Sequence, residues 1–113
     1  MANVEYSMEL RNEEQEDLVI GKDGGKKCDK EKIRMDLIPL DAMKLIAEIM
    51  TFGANKYEAN NWKKVEVDRY HAALLRHLEA WQRGERLDDE WNLTHLAHMA
   101  CNAIFMLWIE ECK

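Results

Sequence analysis

The stretch THLAHMACNAIFMLW, residues 94–108, constrains the fold more than any other part of the chain. Leu96, Ala97, Met99, Ala100, Ala103, Ile104, Met106, Leu107 and Trp108 leave it apolar almost all round, which marks a helix covered on most of its faces. At 3.6 residues per turn, His95, His98 and Asn102 fall on one stripe that continues through Phe105 and Ile109. Three groups that need hydrogen-bond partners therefore enter an apolar interface. Buried polar groups cost stability unless they are paired, so the stripe is expected to line a site. Taken singly, each histidine also reads as an ordinary core residue bonded to a neighbour.

The rest of the chain supplies the elements that would cover this helix. Pro39 and Asp41 form a helix-entry signal, Pro presetting the turn and Asp capping free N–H groups. Ala42, Leu45, Ile46, Ile49 and Met50 follow at helical spacing, with Gly53 where a C-terminal cap belongs. A polar connection around Tyr57 and Trp62 leaves room for one short helical turn. A second helix is predicted from Asp68 as N-cap to Gly84 as stop, with Tyr70, Ala73, Leu74, His77, Leu78 and Trp81 inward. An acidic loop, GERLDDEWN, separates it from the last helix, which starts near Asn92 or Thr94. Period-two alternation is absent after residue 30. The expected fold is all-α: a small bundle of three main helices over residues 31–113, preceded by a polar extension, residues 1–30, with at most marginal structure. Three helices make a thin core, and the last one is apolar on more than one face, so a homo-oligomer is expected to complete it.

Composition narrows the function classes. The chain has 113 residues and a formal net charge of -6, which disfavours binding to a nucleic acid polymer, since phosphate neutralisation needs clustered Lys and Arg. No apolar run reaches a membrane span and the first residues lack an apolar signal core. A cytoplasmic protein is expected. Cys28, Cys101 and Cys112 are odd in number and lack CxxC spacing, against a disulfide scaffold or zinc knuckle; Cys101 reads as a buried structural thiol.

Histidine recurs on the second inner face as His77, and between the two histidine-bearing helices lies the acidic loop. Glu85 and Asp88 stand three apart and would face one way if that turn were helical. Two convergent carboxylates suit Mg²⁺ or Mn²⁺ completed by waters and substrate phosphates. Zinc is disfavoured because HExxH and a cysteine pair are both absent. Arg34, Lys56, Arg69 and Arg76 offer phosphate donors, while Asn61 and Trp62 offer an amide and an aromatic face to a nucleobase. Trp62 reads equally as a loop residue capping the core.

The segments KIRMDLIPLDAMKLIAEIMTFGANKYEANNWKK and RYHAALLRHLEAWQRGERLDDEWNLTHLAHMACNAIFMLW resemble the phage dATP/dGTP diphosphohydrolases, the MazZ-like relatives of the all-α MazG nucleotide pyrophosphohydrolases. The likeness spans residues 30–110. It implies hydrolysis of a purine deoxynucleoside triphosphate to monophosphate and pyrophosphate with Mg²⁺ or Mn²⁺, in the host cytoplasm if the chain is phage-encoded. Glu85 and Asp88 would hold the metal; His77, His95 and His98 would orient ligands or shuttle a proton; Arg34, Lys56, Asn61, Trp62, Arg69, Arg76 and Asn102 would contact the nucleotide. The chain departs from the family pattern at Ile33, Glu58 and Trp91-Asn92. The MazG enzymes carry an ExxE pair well upstream of their ExxD, and the only ExxE here, Glu13 to Glu16, lies in the N-terminal extension. An incomplete carboxylate set also suits a second reading, a protein that binds and sequesters a nucleotide or cyclic nucleotide without turning it over.

Overall fold

The computed structural model describes residues 18–20, 22, 24–28 and 32–113. Glu13 and Glu16, and with them the ExxE expectation, lie outside the described residues. The chain divides into two compact units, Met1–Leu37 and Ile38–Lys113.

In the first unit, β1 (Leu18–Ile20) pairs antiparallel with β2 (Lys26–Cys28), Val19 opposite Lys27. The polar extension therefore holds a hairpin. The β-branched pair Val19-Ile20 followed by the turn-favouring sequence Gly-Lys-Asp-Gly-Gly carries that signal, which the acid-rich composition around it obscures. A 3₁₀ turn, Met35–Leu37, closes the unit.

The second unit is three helices: α1 (Leu40–Lys56), α2 (Val67–Gln82) and α3 (His95–Glu111), with a 3₁₀ turn at Asn61–Lys64. The all-α bundle expected from periodicity is the fold. Helix ends differ in detail. Pro39 is the N-cap of α1 and Asp41 sits inside the first turn, its Oδ1 accepting from the next amide, Ala42 N, at 3.0 Å. Gly53 lies within α1, which runs on to Lys56. Glu66, not Asp68, precedes α2. Gly84 does terminate α2, at φ +95°, a conformation open to glycine because it has no Cβ. Thr94 caps α3, its hydroxyl accepting from Ala97 N at 3.0 Å.

Helix α3 is the hub: α2 packs along it most extensively, α1 packs on it to a smaller extent, and the Asn61–Lys64 turn touches it. Ile49, Ala97 and Cys101 form the buried centre, with Ile46, Met50, Trp91, Leu93 and Phe105 against them. Cys101 is 1% exposed, and burial pushes its thiol up to about 12, so it is a packing thiol. Trp81 is a correction: expected inward, it is 45% exposed while its neighbour Ala80 is buried. The close approach of α2 to α3 admits the small side chain and turns the indole outward. It lines a second groove with Leu45, Leu96 and Ala100.

Candidate active site

His95, His98 and Asn102 are buried, at 5%, 8% and 8% exposure. Their partners come from the turn that follows α2 and from α2 itself. After Gly84 the chain runs back beside its own path: Glu85 N donates to Ala80 O, Leu87 bridges Thr94, and His95 N donates to Arg86 O. The turn is not helical, so Glu85 and Asp88 do not share a face. Each addresses a different histidine.

Glu85 Oε2 lies 2.6 Å from His95 Nε2, and His95 Nδ1 lies 2.8 Å from His77 Nδ1. A carboxylate has no proton to give at neutral pH, so the hydrogen sits on His95 Nε2. In the neutral tautomer His95 Nδ1 then accepts, His77 Nδ1 donates, and His77 Nε2 keeps its lone pair. Burial, then the neighbouring His98 and His95, push the His77 imidazole down to about 4. The His77 ring lies flat on His98, centroids 4.3 Å apart and planes within 2°. His98 Nε2 donates to Asp88 Oδ1 at 3.2 Å. Burial raises the Asp88 carboxyl, but the Trp91 and Leu93 amides and His98 more than offset it and hold it at about 2. Asn102 Nδ2 donates to His98 O at 2.9 Å, one turn back in its own helix.

This chain of groups can move a proton. If His77 Nε2 takes one up, its Nδ1 hydrogen can pass to His95 Nδ1, and the positive charge comes to rest on His95 against the Glu85 carboxylate. A base whose own imidazolium is disfavoured by burial thus has an outlet for the charge.

Beside the histidines, an open cavity of about 850 Å³ is lined by Tyr57, Asn60, Asn61, Trp62, Tyr70 and Trp91 among others. Trp62 is fixed there: its ring stacks on Phe105 at 4.6 Å, meets Trp108 edge-on at 5.3 Å, and its carbonyl accepts from Tyr70 Oη at 2.8 Å. The capping reading of Trp62 holds, and the same residue lines the cavity. Trp91 was not among the residues expected at a site, yet it lines the cavity while its ring lies 6.0 Å from that of His98. Its departure from a small-residue turn was the one signal for it. Asn92 beside it takes φ +60°, which asparagine tolerates.

The basic residues are spread more widely. Lys56 Nζ pairs with Glu90 at 2.9 Å over the rings of Tyr57 and Trp91, at the cavity's edge. Arg69 and Arg76 are exposed on α2. Arg34 belongs to the first unit, where its guanidinium forms a two-pronged pair with Asp36 at 2.9 and 2.8 Å. Among the described residues, no three His, Cys, Asp or Glu side chains gather as a metal site. Glu85 keeps one oxygen without a hydrogen bond among the described residues, but both oxygens of Asp88 are engaged. The two carboxylates as arranged do not fit a shared divalent cation.

The family described as dATP/dGTP diphosphohydrolase, N-terminal, matches residues 22–113. Over 85 residues the chain is 31% identical to a protein named dATP/dGTP diphosphohydrolase from Salmonella phage PMBT28, covering 75% of this chain and 29% of that protein. The chain thus spans less than a third of the length of this curated relative. No solved structure matches. The match takes in the hairpin's second strand, the cavity, the acidic turn and all three helices, and the chain belongs to the dATP/dGTP diphosphohydrolase N-terminal family.

Proposed function

We propose that this chain carries out, or forms the nucleotide-binding part of, hydrolysis of a purine (deoxy)nucleoside triphosphate to monophosphate and pyrophosphate. The observation that carries the reading is the shared wall: Trp91 borders the aromatic, amide-bearing cavity and lies beside the histidine cluster. A base seated by Asn61 and Trp62 brings its phosphates to the edge where Lys56 stands, with Arg69 and Arg76 as further donors. There a phosphate oxygen replaces Glu90 on Lys56. Water attacks the α-phosphorus, the bond to the β-phosphate bridging oxygen breaks, and pyrophosphate leaves. His77 Nε2 accepts the water proton, and the relay through His95 places the charge beside Glu85. Mg²⁺ or Mn²⁺ belongs to this proposal as an ion carried in on the triphosphate, with Glu85 the carboxylate left open to it.

The proposed assembly is a homo-oligomer of a phage-derived, cytoplasmic protein. Among the described residues no helix is long and apolar enough to cross a membrane. A second reading, nucleotide binding without turnover, is favoured by one observation: Asp88 is committed to its own turn. Incubating the protein with each dNTP and NTP plus Mg²⁺ or Mn²⁺, and following pyrophosphate release together with retained nucleotide, separates the two. Pyrophosphate from dATP or dGTP supports hydrolysis. Retention of intact nucleotide supports binding alone, and neither outcome with any nucleotide removes both.

A further inference from the structure

The geometry points to Asp88 as a positioning residue that locks the turn before α3 and sets the hydrogen-bonding face of His98, and so is closed to a cation. A carboxylate offers about four lone-pair directions, and here four donors fill them. Oδ2 accepts from Glu90 N and Trp91 N, both at 2.9 Å; Oδ1 accepts from Leu93 N at 2.8 Å and His98 Nε2 at 3.2 Å. The backbone closes the same ring, Asp88 N donating to Leu93 O at 2.9 Å and Asn92 N to Asp88 O at 3.1 Å. The Asp88 side chain is 11% exposed. A cation taking one of its lone pairs would strip the half-buried Trp91 or Leu93 amide or the exposed Glu90 amide of its acceptor, or release His98.

Glu85 is built differently. Its side chain is 42% exposed and holds one partner, His95. The ExxD pair therefore splits into two jobs: Glu85 meets the relay and solvent, while Asp88 folds the turn and fixes His98 flat against His77. This holds whether or not the chain turns nucleotide over.

Two measurements on ¹⁵N-labelled protein test it. In the wild type, the His98 ring should show the pure Nε2–H tautomer. In Asp88→Asn, that tautomer should become mixed and the Trp91 and Leu93 amides should exchange about tenfold faster or more, with the His95 ring signals unchanged. A wild-type His98 already mixed in tautomer, or one unmoved by Asp88→Asn, overturns the positioning role. The second measurement needs no variant, and so stands even if Asp88→Asn fails to fold. Millimolar Mg²⁺ added to the wild type should leave the Glu90, Trp91 and Leu93 amides in their hydrogen-bonded positions. Their displacement toward unbonded values overturns the proposal, because the cation would then have taken the Asp88 oxygens.

Discussion

His77 and Asp88 make the protein acid-sensitive in two steps of different origin. The His77 imidazole sits at about 4 in the fold against 6.5 for a free side chain, through burial first, then His98 and His95, with Asp88 opposing and Arg76 adding to the depression. Between those pH values the unfolded chain binds the proton and the folded chain does not, so stability falls as pH falls from 6.5 to 4. The effect is about 3 kcal/mol or less, reduced by the solvent that reaches the ring. Asp88 adds a second loss in the same direction, its folded value about 2 lying below the ordinary 3.8, because the fold favours its charged form, whereas burial disfavours the charged form of His77. Its stabilisation is complete above 3.8 and is lost as pH drops toward 2. Thermal melts across pH 8 to 2 should show both steps, and His77→Gln should flatten the first while keeping the second. Under the proposed hydrolysis, Glu85→Gln removes the charge that receives the imidazolium at His95. Pyrophosphate release should then fall about 100-fold with nucleotide affinity, measured without divalent cation, within about twofold; an equal loss in both would place Glu85 in direct contact with the nucleotide instead.

Among the elements, the helix ends carry opposite expectations for two glycines. Gly84, at φ +95°, has open space where a Cβ would be, so Gly84→Ala strains only the backbone and should cost about 1 kcal/mol. Gly53 lies inside α1 with equally open space, so Gly53→Ala should stabilise by about 0.5–1 kcal/mol. Denaturant midpoints on the pair check the signs, and a destabilising Gly53→Ala would mean that α1 needs its glycine for something other than helix geometry. Thr94→Ala leaves the α3 N-terminus without its cap and should cost about 1 kcal/mol. Its effect should reach the site, because His95 and His98 stand in the first turn of that helix.

For the whole molecule, the thin centre and the bare outer stripe of α3 belong together. Ile49 is 7% exposed at the heart of a cluster with few fully buried members, and Ile49→Ala should cost about 2–4 kcal/mol. On the far side of α3, Leu96 is 52% exposed and Leu107 55%, with Ile104 between them. These positions recur at helical spacing and continue into the groove beside Leu45 and Trp81. In the proposed homo-oligomer a second copy covers this stripe. Sedimentation should give a species larger than the 13.3 kDa monomer, and Leu107→Glu should shift it toward the monomer; a wild-type monomer at micromolar concentration would rule the assembly out.

Three helices, their order, and the entry of His95, His98, Asn102 and Cys101 into the interior were legible in the chain because helical periodicity is a local property. Each residue's face follows from its spacing to neighbours three and four positions away. The hairpin was hidden because three-residue strands leave too little alternation to stand out from charged surroundings. The site was legible only as a roster. That Glu85 meets His95 while Asp88 meets His98 depends on a turn that folds back on the Asp88 carboxylate, and a non-helical turn has no period to read. That Trp91 borders both cavity and histidines, that Glu90 holds Lys56, and that Trp81 faces outward depend on which surfaces meet when α1, α2 and α3 pack. Spacing along the chain decides which side of a helix a residue occupies; what stands opposite that side is decided by contacts between residues far apart in sequence, and these exist only once the helices are together.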